Sequence, residues 1–122
     1  YTTYDSSDAL LEGNLAQSIK IFQYLVASGE PHSLILWTLS KEMRLLMQLF
    51  EQPQNALQLG IWKTKVSFYQ QALRRLHPQQ FLNWPSLLLK VDASIKGMSK
   101  ENPEHLIQQG IAELCGKTLF LA

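Results

Sequence analysis

Catalysis or metal binding in this chain would have to be built from three histidines, one cysteine and a scatter of carboxylates. His32, His77 and His105 each lie within two residues of a proline: Pro31, Pro78 and Pro103. A polar side chain at a helix start satisfies free backbone N–H groups, so capping is the role this placement favours. Zinc ligation wants His, Cys or carboxylates at short spacing, and Cys115 stands ten residues from His105. H-E-x-x-H, G-x-S-x-G and a glycine-rich phosphate loop are all missing from the sequence. Cys115 as a nucleophile needs a neighbour that stabilises the thiolate, and only Lys117 is near in sequence, so a buried apolar role is expected. The residues call for no cofactor, no metal and no enzymatic reaction.

The charged residues suggest structure or binding instead. Asp92 and Lys96 are four apart with the acid first, the favourable order for a helical ion pair. Asp92 also borders an apolar stripe through Leu88 and Ile95, which leaves a second option open, a partly buried carboxylate holding Arg44 or Arg74 from another helix. Arg44 sits beside Met43 and Met47, where an unpaired charge would be costly. Lys63, Lys65, Arg74 and Arg75 form the most basic stretch, read as a solvated helix face or as a contact with phosphate or an acidic partner. The aromatic residues Trp62, Phe68, Tyr69, Phe81 and Trp84 crowd the middle of the chain. Singly each suits a core. Together they exceed what one small helical domain buries, which marks Trp62, Phe68, Phe81 and Trp84 as candidates for a face covered by a partner.

The elements that position these residues are helical. Leu occurs 22 times and Gln 12, while Val, Ile and Thr together number 15. Leu and straight-chain residues lose little rotamer freedom in a helix, whereas β-branched residues favour strands. Proline at a helix start and glycine just past its end punctuate the chain. These signals predict helices over Ser7–Glu12 with Asp5 or Ser6 as cap, from Asn14 to Gly29, over Pro31–Glu51, Ile61–Leu76, Pro78–Lys96 and Pro103–Cys115. A short piece capped by Asn55 and ended by Gly60 is expected between the third and fourth, and Gln17 is placed to complete a capping box with Asn14. The run Leu34–Trp37 is apolar on nearly every side, as in a central helix. Pro85 should kink the fifth helix or split off its first turn, and Gly110 should permit close helix packing. The fold class is all-α, a compact bundle of about five to six helices.

At 122 residues, 46% hydrophobic and net charge +1, the chain is sized for one domain with a real core. It lacks the basic excess of an autonomous nucleic-acid binder. A single cysteine excludes an internal disulfide, and no apolar run is long enough for a membrane span. Tyr1 rather than Met opens the sequence, so residues 1–122 are expected to be a piece of a longer chain. The hairpin joined at Gly29-Glu30-Pro31 invites comparison with a tetratricopeptide array, but the unit does not recur after about 34 residues.

The stretch Asp8-Ala9-Leu10-Leu11-Glu12-Gly13-Asn14, then Ala16, Ile19, Leu25 and Gly29-Glu30-Pro31, resembles the opening of the C-terminal domain of the bacterial DNA polymerase III delta subunit. Ile35-Leu36, Leu39 and Arg44-Leu45-Leu46 are similar to its next helix. Tyr69, Ala72 and Leu73, then Asp92 with Ile95-Lys96-Gly97, and Leu114-Cys115 with Lys117 resemble its later helices. The resemblance runs from about Tyr4 to Leu121; Pro85 and the short Phe120-Leu121-Ala122 tail depart from the pattern. It implies a collar module of the clamp loader, the AAA+-related assembly that places the sliding clamp on primed DNA in the bacterial cytoplasm. The implied partners are the gamma/tau and delta prime subunits, with the sliding clamp met by an N-terminal region and DNA met only indirectly, and ATP hydrolysis is not expected of this subunit. A peptide-binding helical-hairpin adaptor and direct DNA contact through Lys63, Lys65, Arg74 and Arg75 stand as rival functions.

Overall fold

A computed structural model describes residues Tyr1–Gly116. The expected tail through Leu119, Phe120 and Leu121 lies outside the described residues. Six α-helices follow one another: α1 Thr3–Glu12, α2 Leu15–Ala27, α3 His32–Glu51, α4 Val66–Arg75, α5 Gln80–Ile95 and α6 Pro103–Leu114. No strand occurs among the described residues.

Local chemistry explains most helix ends. Asn14 caps α2 by accepting the Gln17 N–H at 3.1 Å, and Asn102 caps α6 by accepting from the N–H groups of Glu104 and His105, with Pro103 in the first turn. The Gln17 side chain does not close a reciprocal box, because its amide donates to the Tyr1 hydroxyl at 3.3 Å instead. Gly13 ends α1 at φ 74°, where the Gly13 and Asn14 N–H groups bond back to Leu10 and Ala9.

Several expected boundaries move. Helix α1 starts four residues early because Thr2, not Asp5 or Ser6, is its cap: the Thr2 hydroxyl accepts the Asp5 N–H while the Asp5 carboxylate accepts the Thr2 N–H at 2.7 Å. Residues 56–60 form turns rather than a helical piece, and the Asn55 amide donates to Gln52 instead of capping. Helix α4 begins at Val66, after a 3-10 turn Lys63–Lys65. Pro78 leads in through turn hydrogen bonds, and α5 begins at Gln80 and runs through Pro85 as one helix. Proline removes the donor that the Phe81 carbonyl would otherwise receive, a deficit confined to the first turns.

The 20-residue α3 is central, packing against all five other helices. Its buried Ile35, Leu39, Met43, Leu46 and Leu49 meet Leu10, Phe22, Trp84, Val91, Ile107 and Leu114 in one core. Each such side chain withdrawn from water contributes roughly 1.5–3 kcal/mol. The first half of α3 is not enclosed on every side, since Leu34 and Trp37 are exposed. Gly110 lets α6 close on α3: a Cβ there would stand 2.7 Å from Leu39 Cδ2. The His32–Glu104 pair at 3.3 Å joins the starts of the same two helices, so they run in one direction. Gln80, at the start of α5, donates to the Glu113 backbone and carboxylate, both at 3.0 Å, so α5 and α6 are antiparallel.

Candidate functional site

Helices α1, α3 and α4 converge on a cavity of about 360 Å³ that opens beside the loop Gly60–Trp62. The spacing Tyr4, Ser7, Asp8 and Leu11 puts one face of α1 along it; Lys41 and Glu42 come from α3, Lys65 from the 3-10 turn before α4, and Tyr69 from the first turn of α4. At its floor Glu42 is 1% exposed and accepts a hydrogen bond from the Tyr69 hydroxyl. Burial holds the Glu42 carboxyl above its ordinary value, opposed by the Tyr69 and Ser7 hydrogen bonds and by Lys41. Burial, reinforced by Glu42, likewise pushes the Tyr69 hydroxyl up.

The rim is different in kind. Trp62 is 74% exposed and Tyr4 is exposed with it. Lys65 Nζ lies 3.0 Å from Asp8 Oδ1 and 4.9 Å from the Phe68 ring centre, and Lys41 Nζ lies 5.6 Å from the Trp37 ring. Exposed indole, phenol and ammonium groups around a concave floor are suited to binding flat or anionic ligands. Among the described residues no group of three His, Cys, Asp or Glu side chains is placed to hold a metal.

A second exposed surface runs along α5. Leu82 and Leu89, seven residues apart and so on one side of the helix, are 80% and 70% exposed, with Pro85 exposed between them. Behind them Phe50, Phe81 and Trp84 form an aromatic ladder with successive ring centres 4.9 Å apart.

With this geometry in view, the family model for the DNA polymerase III delta subunit, C-terminal domain, matches residues 2–114, from the cap of α1 to the last residue of α6. The chain belongs to that family. None of the curated proteins matches it.

Within this delta-subunit domain the four aromatic candidates separate. Trp62 is exposed, Phe68 and Phe81 are half-buried, and Trp84 is 0% exposed. Trp84 therefore belongs to the core and not to a partner face: it lies on the inward side of α5, with its Nε1 buried and without a hydrogen-bond partner among the described residues. Asp92 pairs with Lys96 at 2.8 Å on the surface. Arg44 does not join them; it is exposed, and its Nε donates at 3.4 Å to the Ser40 carbonyl of its own helix, where water meets the remaining demand. Arg74 is exposed as well, so no arginine reaches Asp92.

Arg75 leaves the basic stretch altogether. Its Nη2 reaches the carbonyls of Leu10, Leu11 and Leu114 at 3.4, 3.2 and 3.5 Å, between the C-terminal ends of α1 and α6. A cation is favoured where two helices present their C-terminal carbonyls. Of the histidines, His77 alone accepts a local backbone N–H among the described residues, from Gln79 at 3.3 Å; His32 pairs with Glu104. Sequence reasoning missed Glu42. The signal was its spacing, three past Leu39 and four before Leu46, which places a carboxylate on the buried side of α3.

No helix among the described residues is long and apolar enough to cross a membrane.

Proposed function

We propose that this chain is the collar module of a clamp-loader delta subunit, residues 1–122 forming one helical unit of a longer protein in the bacterial cytoplasm. Its work is association with the matching modules of the gamma/tau and delta prime subunits, and it carries no catalytic step itself. The sliding clamp is met elsewhere in the longer protein. The observation that carries this is the apolar side of α5, where Leu82 and Leu89 stand in water within a domain of the delta-subunit family. Large apolar side chains exposed on one helix face gain by being covered, and charged neighbours such as Lys90 set register at the rim. Family membership favours this over a peptide-binding hairpin adaptor.

The test is co-elution of the chain with gamma/tau and delta prime. Leu82→Glu and Leu89→Glu should abolish it while the far-ultraviolet helical signal stays unchanged, because both side chains already lie outside the core. Undiminished co-elution removes α5 as the interface.

A second function is favoured by the cavity rim: contact with a single DNA strand. Lys63 and Lys65 follow the exposed Trp62 closely enough in sequence to meet phosphates while the indole stacks on a base. Arg75 takes no part, being held between helix ends. Trp62→Ala should weaken oligothymidylate binding about tenfold, since base–aromatic stacking is worth roughly 1–3 kcal/mol.

A further inference from the structure

The cavity rim contains an acid in an unexpected place. If the surface around Trp62 meets a polyanion, its cations should be available, yet Asp8 reaches from α1 to hold Lys65 at 3.0 Å. The two residues are 57 apart in sequence, and both line the same cavity as Trp62. The lining holds one other acid, Glu42, and that carboxyl is buried on the floor against Tyr69. Asp8 is thus the carboxylate that a ligand arriving at the mouth would meet. With side chains 37% and 46% exposed, Lys65 and Asp8 form an ion pair in contact with water. Such pairs contribute little to stability and exchange partners readily.

We propose that Asp8 is a restraint on ligand binding: it holds the Lys65 ammonium and occupies the place of an incoming phosphate, so a DNA strand must displace a carboxylate to gain that lysine. This rests on the DNA-contact function of the Trp62 surface. Asp8 touches no base in this scheme; it acts through Lys65 and by its own charge. The outcome is a contact that forms weakly and releases easily.

The experiment is a fluorescence-anisotropy titration of the 122-residue chain with a fluorescein-labelled ten-nucleotide oligothymidylate, at low and moderate salt. Asp8→Asn should tighten binding about two- to fivefold, the scale of one surface ion pair released. In a Lys65→Gln background the same change should give a distinctly smaller gain, because the lysine it frees is gone. Lys65→Gln alone should weaken binding and reduce the salt slope by about one. Unchanged or weaker binding by both Asp8→Asn and Asp8→Ala, with wild type still binding and Trp62→Ala impaired, overturns the restraint alone. No binding by wild type or by Asp8→Asn overturns the DNA-contact function and the restraint with it. Equally tight binding of a ten-residue polyglutamate overturns the assignment of the ligand as nucleic acid. Asp8→Ala, scored beside Asp8→Asn, guards against a misfolded variant: tightening by either one, with helical signal intact, upholds the restraint, and failure of both overturns it.

Discussion

Glu42 shows how far one side chain can set the chemistry of its surroundings. A carboxyl group on the inward side of α3 is tolerable because Tyr69 supplies a hydrogen bond and because burial favours its protonated form. The sign of the consequence follows from linkage. The ordinary value is 4.5 and the folded value lies above it, so the folded state binds the proton more tightly than the unfolded chain. Stability contributed this way is fully present below 4.5 and is lost as pH rises through the folded value. Wild type should therefore gain less from a shift out of mild acid to neutral pH than Glu42→Gln, which keeps the Tyr69 partner and has no proton to lose. Urea midpoints across that range measure it, and parallel curves for the two proteins would show that Glu42 is ionised at no cost. Glu42→Ala should be worse than Glu42→Gln at every pH, by about 1–3 kcal/mol, because it strands the buried Tyr69 hydroxyl.

At the level of elements, the glycines that join helices are not equivalent. Gly13 and Gly29 both end helices in the left-handed region, at φ 74° and 87°. Either one changed to alanine incurs about 1–2 kcal/mol of backbone strain. At Gly29 nothing lies within 4 Å of an added Cβ, whereas at Gly13 it would stand 2.5 Å from Arg75 Cζ, where the guanidinium bridges the ends of α1 and α6. Gly13→Ala should then lower the thermal midpoint clearly more than Gly29→Ala, and equal shifts would mean that Arg75 moves aside freely. Gly110→Ala should cost about 1–3 kcal/mol by driving Leu39 against the α3–α6 seam. Such contacts mark the limit of what a sequence discloses. Helix ends were legible where the signal was local, as with Asn14 before Leu15 and Asn102 before Pro103. They are misplaced where two signals compete: Asp5 and Ser6 both read as caps of α1, yet Asp5 serves Thr2, which is the cap. The helical class and the role of Gly110 were legible from composition and spacing; α3 is central, but not through the all-round apolar run Leu34–Trp37 that suggested it, since Leu34 and Trp37 are exposed. The difference between Trp62 and Trp84 was not, because only the packing of α5 against α3 and α6 decides that Trp84 is enclosed. Arg75 was illegible for the same reason: the carbonyls it meets lie 64 and 39 residues away.

For the molecule as a whole, the question is whether its two exposed surfaces act separately. Helix α5 packs only against α3 and α6 among the described elements, while the cavity is framed by α1, α3 and α4. The long α3 therefore stands between Leu82 and Leu89 on one side and Trp62, Lys65 and Asp8 on the other. Its buried Leu39, Met43 and Leu46 are locked in the core, so a change of charge on outer α5 has no soft path to the cavity rim. Substitutions that share no partner and lie well apart add within about 0.3–0.5 kcal/mol. A Leu89→Glu/Trp62→Ala double variant should accordingly lose subunit co-elution to the same extent as Leu89→Glu alone, and lose oligothymidylate affinity to the same extent as Trp62→Ala alone. Measured on one preparation, a non-additive loss in either assay would mean that α3 transmits strain between the surfaces and that the two contacts form one site. Additivity would mean that the two contacts are energetically independent, each read by its own surface.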